Sequence, residues 1–262
     1  MLWIFLRGLT RETAHWGSFP NDFEQSLPGS KVICLDLPGN GELHHMTSPM
    51  SIPTMVTYCR NELIKRGHPP PYFLLAMSLG AMVATEWSYS GNGEVKGCVL
   101  MNISLGKFSP FYHRMRPRNY LPLLRLVLLI RDPAEAERII LQLTSNRATQ
   151  RAQVIDEWVQ AHIKHPVSRA NALRQVVAAL RYRVRSRAPD TDVLILSSKQ
   201  DRLVHVNCSL AIASRWKCPV QLHPMAGHDL VLDDPNWVIE KVQQWLGRQQ
   251  RRDQAAKLRT AQ

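Results

Sequence analysis

Six short, almost uninterrupted apolar runs, at residues 3–6, 31–36, 72–77, 95–102, 192–197 and 219–223, constrain the fold more than any other feature of the chain. Runs this apolar belong to strands buried on both faces, which is the condition of a parallel sheet covered by helices on each side. The intervals carry helical patterns. Residues 51–66 open with Ser51 as a candidate N-cap and Pro53 in the first turn, residues 79–89 follow the third run, and residues 236–246 close the series. The expected class is α/β: a mostly parallel sheet flanked by helices.

Residues 104–187 break the alternation. They read as all-helical, punctuated by Pro117, Pro122, Pro133 and Pro166, and are expected to form a helical cap inserted between the fourth and fifth strands. Residues 1–103 and 188–246 then form the core, and the polar, basic tail 247–262 is expected as frayed helix or disorder. Residues 121–130 are apolar apart from Arg125, and either pack the cap onto the core or wall a substrate channel.

The net charge of +12 is concentrated. Residues 104–187 hold sixteen Lys/Arg against five Asp/Glu, and the tail holds five against one. The clusters Arg114, Arg116, Arg118 and Arg181, Arg183, Arg185, Arg187 are either a solvated face or a surface for an acidic partner, an acyl carrier protein or an anionic membrane. Nucleic acid is disfavoured, since no recognition motif accompanies the charge. No run approaches the roughly 20 apolar residues of a membrane-spanning helix, and residues 1–6 are too short for a signal peptide. Cys34, Cys59, Cys98, Cys208 and Cys218 are scattered and show no CxxC pair, which argues against a disulfide framework or a zinc site and for a cytoplasmic location.

Three polar segments each follow an apolar run. Ala76-Met77-Ser78-Leu79-Gly80 sits between a strand and a helix, with small residues on both sides of the serine, as a nucleophile elbow requires. That string alone also describes a serine capping a helix. Asp201 lies just beyond the fifth run, where it is either the acid of a triad or the cap of a helix starting near Val204. Gly227-His228 follows the sixth run, the glycine allowing the backbone to turn the imidazole over the sheet. Together the three supply what acyl transfer needs: Ser78 as nucleophile, His228 as base, and Asp201 to fix the histidine's tautomer. The developing oxyanion needs preorganised N–H donors, for which Leu79 and Leu9 are the candidates, Gly8 letting the backbone approach.

With Arg7-Gly8, Asp36-Leu37-Pro38-Gly39-Asn40-Gly41, the Ser78 elbow, Asp201 and Gly227-His228 in place, the chain resembles the α/β-hydrolase superfamily over nearly its whole length. It departs at Arg7, where that family usually has histidine, and at Ala76, where it usually has glycine. Within the superfamily it is similar to compact, helically capped carboxylesterases, and residues 74–85 and the cap position are similar to bacterial pimeloyl-carrier-protein methyl ester esterases. The resemblance implies a cofactor-free and metal-free serine hydrolase acting on a small or medium acyl ester or thioester. In the carrier-protein variant, an acidic carrier docks through Arg114, Arg116 and Arg118. Carbon–carbon hydrolysis, acyl transfer or peroxidation by the same triad, and a non-catalytic binding module, are the alternatives.

Overall fold

The computed structural model describes residues 1–147 and 151–260, without the side chains of residues 151–153, 253 and 255–260. Six strands form one sheet: β1 (Leu2–Leu6), β2 (Lys31–Leu35), β3 (Tyr72–Met77), β4 (Val95–Met101), β5 (Asp192–Ser198) and β6 (Val220–His223). Their order is β2-β1-β3-β4-β5-β6, with every pairing parallel. Each expected strand is present to within two residues.

Alternation along the strands divides the core in two. On one face Ile4, Leu6, Leu74, Ala76, Cys98, Leu100 and Ile195 pack against α2 (Ile52–Lys65), α3 (Leu79–Ser90) and α9 (Asn207–Trp216). On the other, Trp3, Phe5, Leu75, Met77, Val99 and Leu194 meet α1 (Phe19–Ser26) and α11 (Pro235–Thr260). Chain direction across the sheet reverses at β1: the chain passes outward to β2, then returns to the far side of β1 as β3. Sites in open α/β sheets form at such switch points, beyond the C-terminal strand ends. Here the loops that diverge are those carrying Arg7-Gly8-Leu9 and Ser78.

Between β4 and β5 the described residues form five helices: α4 (Phe111–Arg114), α5 (Tyr120–Leu128), α6 (Pro133–Thr144), α7 (Arg151–Lys164) and α8 (Arg169–Arg181). They reach the loops at the C-terminal strand ends through polar contacts. Glu137 meets Arg11 at 2.6 Å, His165 meets Glu12 at 2.8 Å, Gln175 donates to Asn40 at 2.7 Å, and Asn146 donates to the carbonyl of Met225 at 3.0 Å. The segment therefore lies over the end of the sheet where the site forms. One expectation fails within it. α5 buries none of its residues, so residues 121–130 do not pack the segment onto the core.

At the C-terminus, α11 runs on through Thr260, and Arg252 meets Asp192 at 2.6 Å. Residues 261–262 lie outside the described residues. All five cysteines are free, and among the described residues no helix is long and apolar enough to cross a membrane.

Candidate active site

β3 is apolar and buried at its end, and it delivers Ser78 to the C-terminal end of the sheet. Ser78 takes φ 54° and ψ −113°, outside the left-handed well that a non-glycine residue can tolerate. Such strain costs about 1–3 kcal/mol and persists where the surroundings over-determine it. Those surroundings are visible. Ser78 N–H donates to Met101 O at 3.0 Å, and α3 starts at Leu79, pressed against the end of β1. A Cβ at Gly80 would lie 2.5 Å from the carbonyl oxygens of both Leu6 and Arg7. The small residue demanded two places after the serine thus answers to β1 backbone, which cannot yield. Gly80→Ala is expected to destabilise the fold by about 3 kcal/mol, read by urea unfolding, with esterase activity falling in the same variant.

Asp201 and His228 come from the loops after β5 and β6 and meet in the interior, 1% and 2% exposed. His228 Nδ1 and Asp201 Oδ2 are 2.7 Å apart. The other carboxylate oxygen, Oδ1, accepts from the N–H groups of Leu203 (2.7 Å) and Val204 (2.9 Å). No helix starts near Val204: α9 begins at Asn207 without a side-chain cap, so Oδ1 fastens the loop ahead of that helix while Oδ2 faces the histidine. Burial alone depresses the basicity of His228, but the charge and hydrogen bond of Asp201, with the charge of Asp229, outweigh it and raise its pKa above 6.5; Arg7 opposes them. Among the described residues no hydrogen bond joins Ser78 Oγ to His228. Such bonds commonly close only when substrate is bound.

Gly8 sits against the serine. A Cβ there would be 3.3 Å from Ser78 Cβ and 3.8 Å from Oγ, so the loop after β1 approaches the nucleophile along its backbone. Leu9 N–H makes no protein hydrogen bond among the described residues, and Leu79 N–H opens α3, where a helix leaves its donors free. Both candidate oxyanion donors thus flank Ser78. The loop is fixed at several points: Thr10 N–H donates to Gln175 Oε1 at 2.9 Å, Arg11 N–H donates to Gly8 O at 3.2 Å, and Arg11 stacks 4.3 Å over Trp158.

Arg7, the departure from the family pattern, has a defined role. Its guanidinium donates to both carboxylate oxygens of Asp229 (3.3 and 2.5 Å) and lies 4.7 Å over Trp16, with both side chains of the pair 2% exposed. Burial would raise the Asp229 carboxyl, but Arg7 prevails and holds it below the usual carboxylate value of 3.8. The pair ties the loop after β1 to the residue beside His228.

Sequence reasoning missed three further residues that shape the site. Asn102, at the end of β4 with φ 45°, donates to His228 O at 2.6 Å and accepts from Ser198 N–H at 2.9 Å. Buried Asp233 accepts from Gly227 N–H at 2.6 Å and Asn146 N–H at 2.9 Å, joining the histidine loop to the inserted segment. Gln175 holds the oxyanion loop. Asn102 carried a signal, a polar residue ending an apolar run, whereas Asp233 and Gln175 carried none. Gly227 is required for a different reason from the one expected. Its φ is not positive; a Cβ there would lie 2.5 Å from Thr144 O.

Of the three arginines expected on the partner surface, Arg116 and Arg118 line one cavity and Arg114 does not. Arg114 is half-buried and donates to Ala179 O at 2.9 Å, stapling its loop to α8. Arg118 is exposed and donates to Arg202 O, and Arg116 points its Nε into the interior. No cluster of potential metal ligands occurs among the described residues.

Comparison with known proteins agrees with this architecture. The family model described as alpha/beta hydrolase family matches residues 4–241. No curated protein shows significant similarity. Among solved structures, the chain is similar to a putative non-heme bromoperoxidase, BpoC, from Mycobacterium tuberculosis (18% identity, 94% of this chain and 91% of that one, TM-score 0.74). It is similar also to an esterase, RhEst1, from a Rhodococcus species (18%, 94% and 90%, 0.73) and to a thermophilic esterase from Thermogutta terrifontis (17%, 95% and 90%, 0.71). With a matched model spanning nearly all of its length, a single parallel sheet and a strained serine at the switch point of that sheet, the chain belongs to the alpha/beta hydrolase family.

Proposed function

We propose that the protein is a serine hydrolase cleaving carboxylic esters or thioesters of small or medium acyl groups through an acyl-enzyme. The observation that carries this reading is the conjunction of strained Ser78, the backbone of Gly8-Leu9 against it, and the buried His228–Asp201 pair. Ser78 Oγ attacks the acyl carbonyl while His228 Nε2 takes its proton. The oxyanion is received by the N–H groups of Leu9 and Leu79. His228 returns the proton to the leaving alcohol or thiol as the C–O or C–S bond breaks. Water then attacks the acyl-enzyme with the same base and frees Ser78. Two of the similar structures are esterases, which supports an ester over other acyl substrates.

Delivery of the acyl group by an acidic carrier is the finer form of this proposal, with Arg118 exposed on the expected surface and Arg114 turned to Ala179 O. The free cysteines fit a cytoplasmic location. The test is hydrolysis of p-nitrophenyl esters from acetate to laurate. Turnover with a chain-length optimum, absent in Ser78→Ala, is expected. Turnover retained in that variant sinks the reading. Cleavage of diketones or peroxide-dependent halogenation, without ester cleavage, moves the triad to another reaction.

A further inference from the structure

A cavity of about 390 Å³ lies among the loops after β5 and β6, the end of α6, and the chain leading into α5. Five cations line it: Arg116, Arg118, Arg147, Lys199 and Arg202. The one carboxylate in its wall, Asp201, is committed to His228 and to two backbone N–H groups. Arg147 has a counter-charge in Asp234 at 3.3 Å. Arg116, Arg118, Lys199 and Arg202 make no ion pair among the described residues, and Arg116 Nε is buried without a hydrogen-bond partner. Like charges gathered around one concavity repel, and an anion among them turns that repulsion into attraction. Guanidinium forks match the oxygens of phosphate, and the volume holds a phosphate with part of an organic group.

We propose that this cavity, whose wall shares Asp201 with the site around Ser78, binds the phosphate of a mono- or diester through Arg116, Lys199 and Arg202, with Arg118 and Arg147 at its rim. The adjoining surface identifies the source as a phospholipid headgroup. α5 begins just after Asn119, whose side chain donates to Arg202 O at 2.7 Å, so its first turn stands beside the pocket. On α5, Leu121, Leu124 and Leu128 share one face and are more than half exposed. Residues 104–131 contain six Lys/Arg and no acid. An exposed apolar helix face within a segment rich in cations suits the headgroup–acyl boundary of an anionic membrane.

The test titrates inorganic phosphate against sodium chloride at matched ionic strength, following thermal unfolding of the full chain, since a ligand of the native state raises Tm saturably. Wild type is expected to respond to phosphate alone. Lys199→Gln with Arg202→Gln, both exposed side chains, is expected to weaken the response at least about tenfold. Equal responses to phosphate and chloride, or an unchanged response in the double variant, overturn the proposal. Sedimentation with vesicles decides the source. Retention on phosphatidylglycerol but not phosphatidylcholine, lost in the double variant and in Leu121→Asp with Leu124→Asp, supports the headgroup. Phosphate binding without vesicle retention keeps the pocket, assigns it to a soluble phosphate ester and overturns the lipid source.

Discussion

His228→Ala is expected to lower kcat on an activated ester by about 10⁶, and Asp201→Asn by about 10⁴, with KM changing far less. The first removes the residue proposed to deprotonate Ser78. The second acts through a tautomer. Asp201 Oδ1 accepts from Leu203 and Val204 N–H, so an asparagine keeps its carbonyl oxygen there and turns its NH₂ toward His228 Nδ1. That NH₂ donates, so the imidazole proton moves to Nε2, where a protonated nitrogen cannot take the serine's proton. Because Asp201 holds the His228 pKa above 6.5, wild-type kcat/KM should fall as pH drops through a midpoint above that value. The residual activity of Asp201→Asn should fall at lower pH than wild type. Steady-state kinetics between pH 5 and 9 reads both effects, these limits being about two units either side of neutrality.

Arg7→Met is expected to destabilise the protein by about 3–5 kcal/mol at neutral pH, because it leaves the Asp229 carboxylate buried without its partner. Arg7→Met with Asp229→Leu should recover much of the loss, and the double-mutant cycle in urea gives the coupling. The sign with pH follows from Asp229. Its folded pKa is depressed, so the pair's contribution is present above the ordinary carboxyl value of 3.8 and fades as pH falls through the lower folded value. The wild-type advantage over Arg7→Met should therefore shrink in strong acid. Arg7 also lowers the His228 pKa, so any activity left in Arg7→Met should need higher pH than wild type. A purely structural role for Arg7 would leave that midpoint where it is.

How much of this was legible in the sequence depended on the range of the interaction. Strands buried on both faces write themselves as continuous apolar runs, and Ser78, Asp201 and His228 each lie within five residues after one, so the fold and the candidate triad are legible locally. α1 is not legible in the sequence, because an eight-residue helix anchored by Phe19 and Phe23 alone leaves too little periodicity. α5 was read as apolar, but not as exposed, since periodicity does not say which partner covers a face. The Arg7–Asp229 pair joins residues 222 positions apart, and the Gln175–Thr10 bond 165. Nothing local marks either. Gly80 and Gly227 were recognised as necessary, but the β1 carbonyls and Thr144 O that demand them become visible only in three dimensions.

The most direct test of the central claim is covalent labelling with a fluorophosphonate, followed by peptide mass spectrometry. Wild type should take up one label per chain on Ser78, and Ser78→Ala should take up none. A wild-type protein that stays unlabelled, or a label that persists in Ser78→Ala, would contradict the assignment of Ser78 as nucleophile.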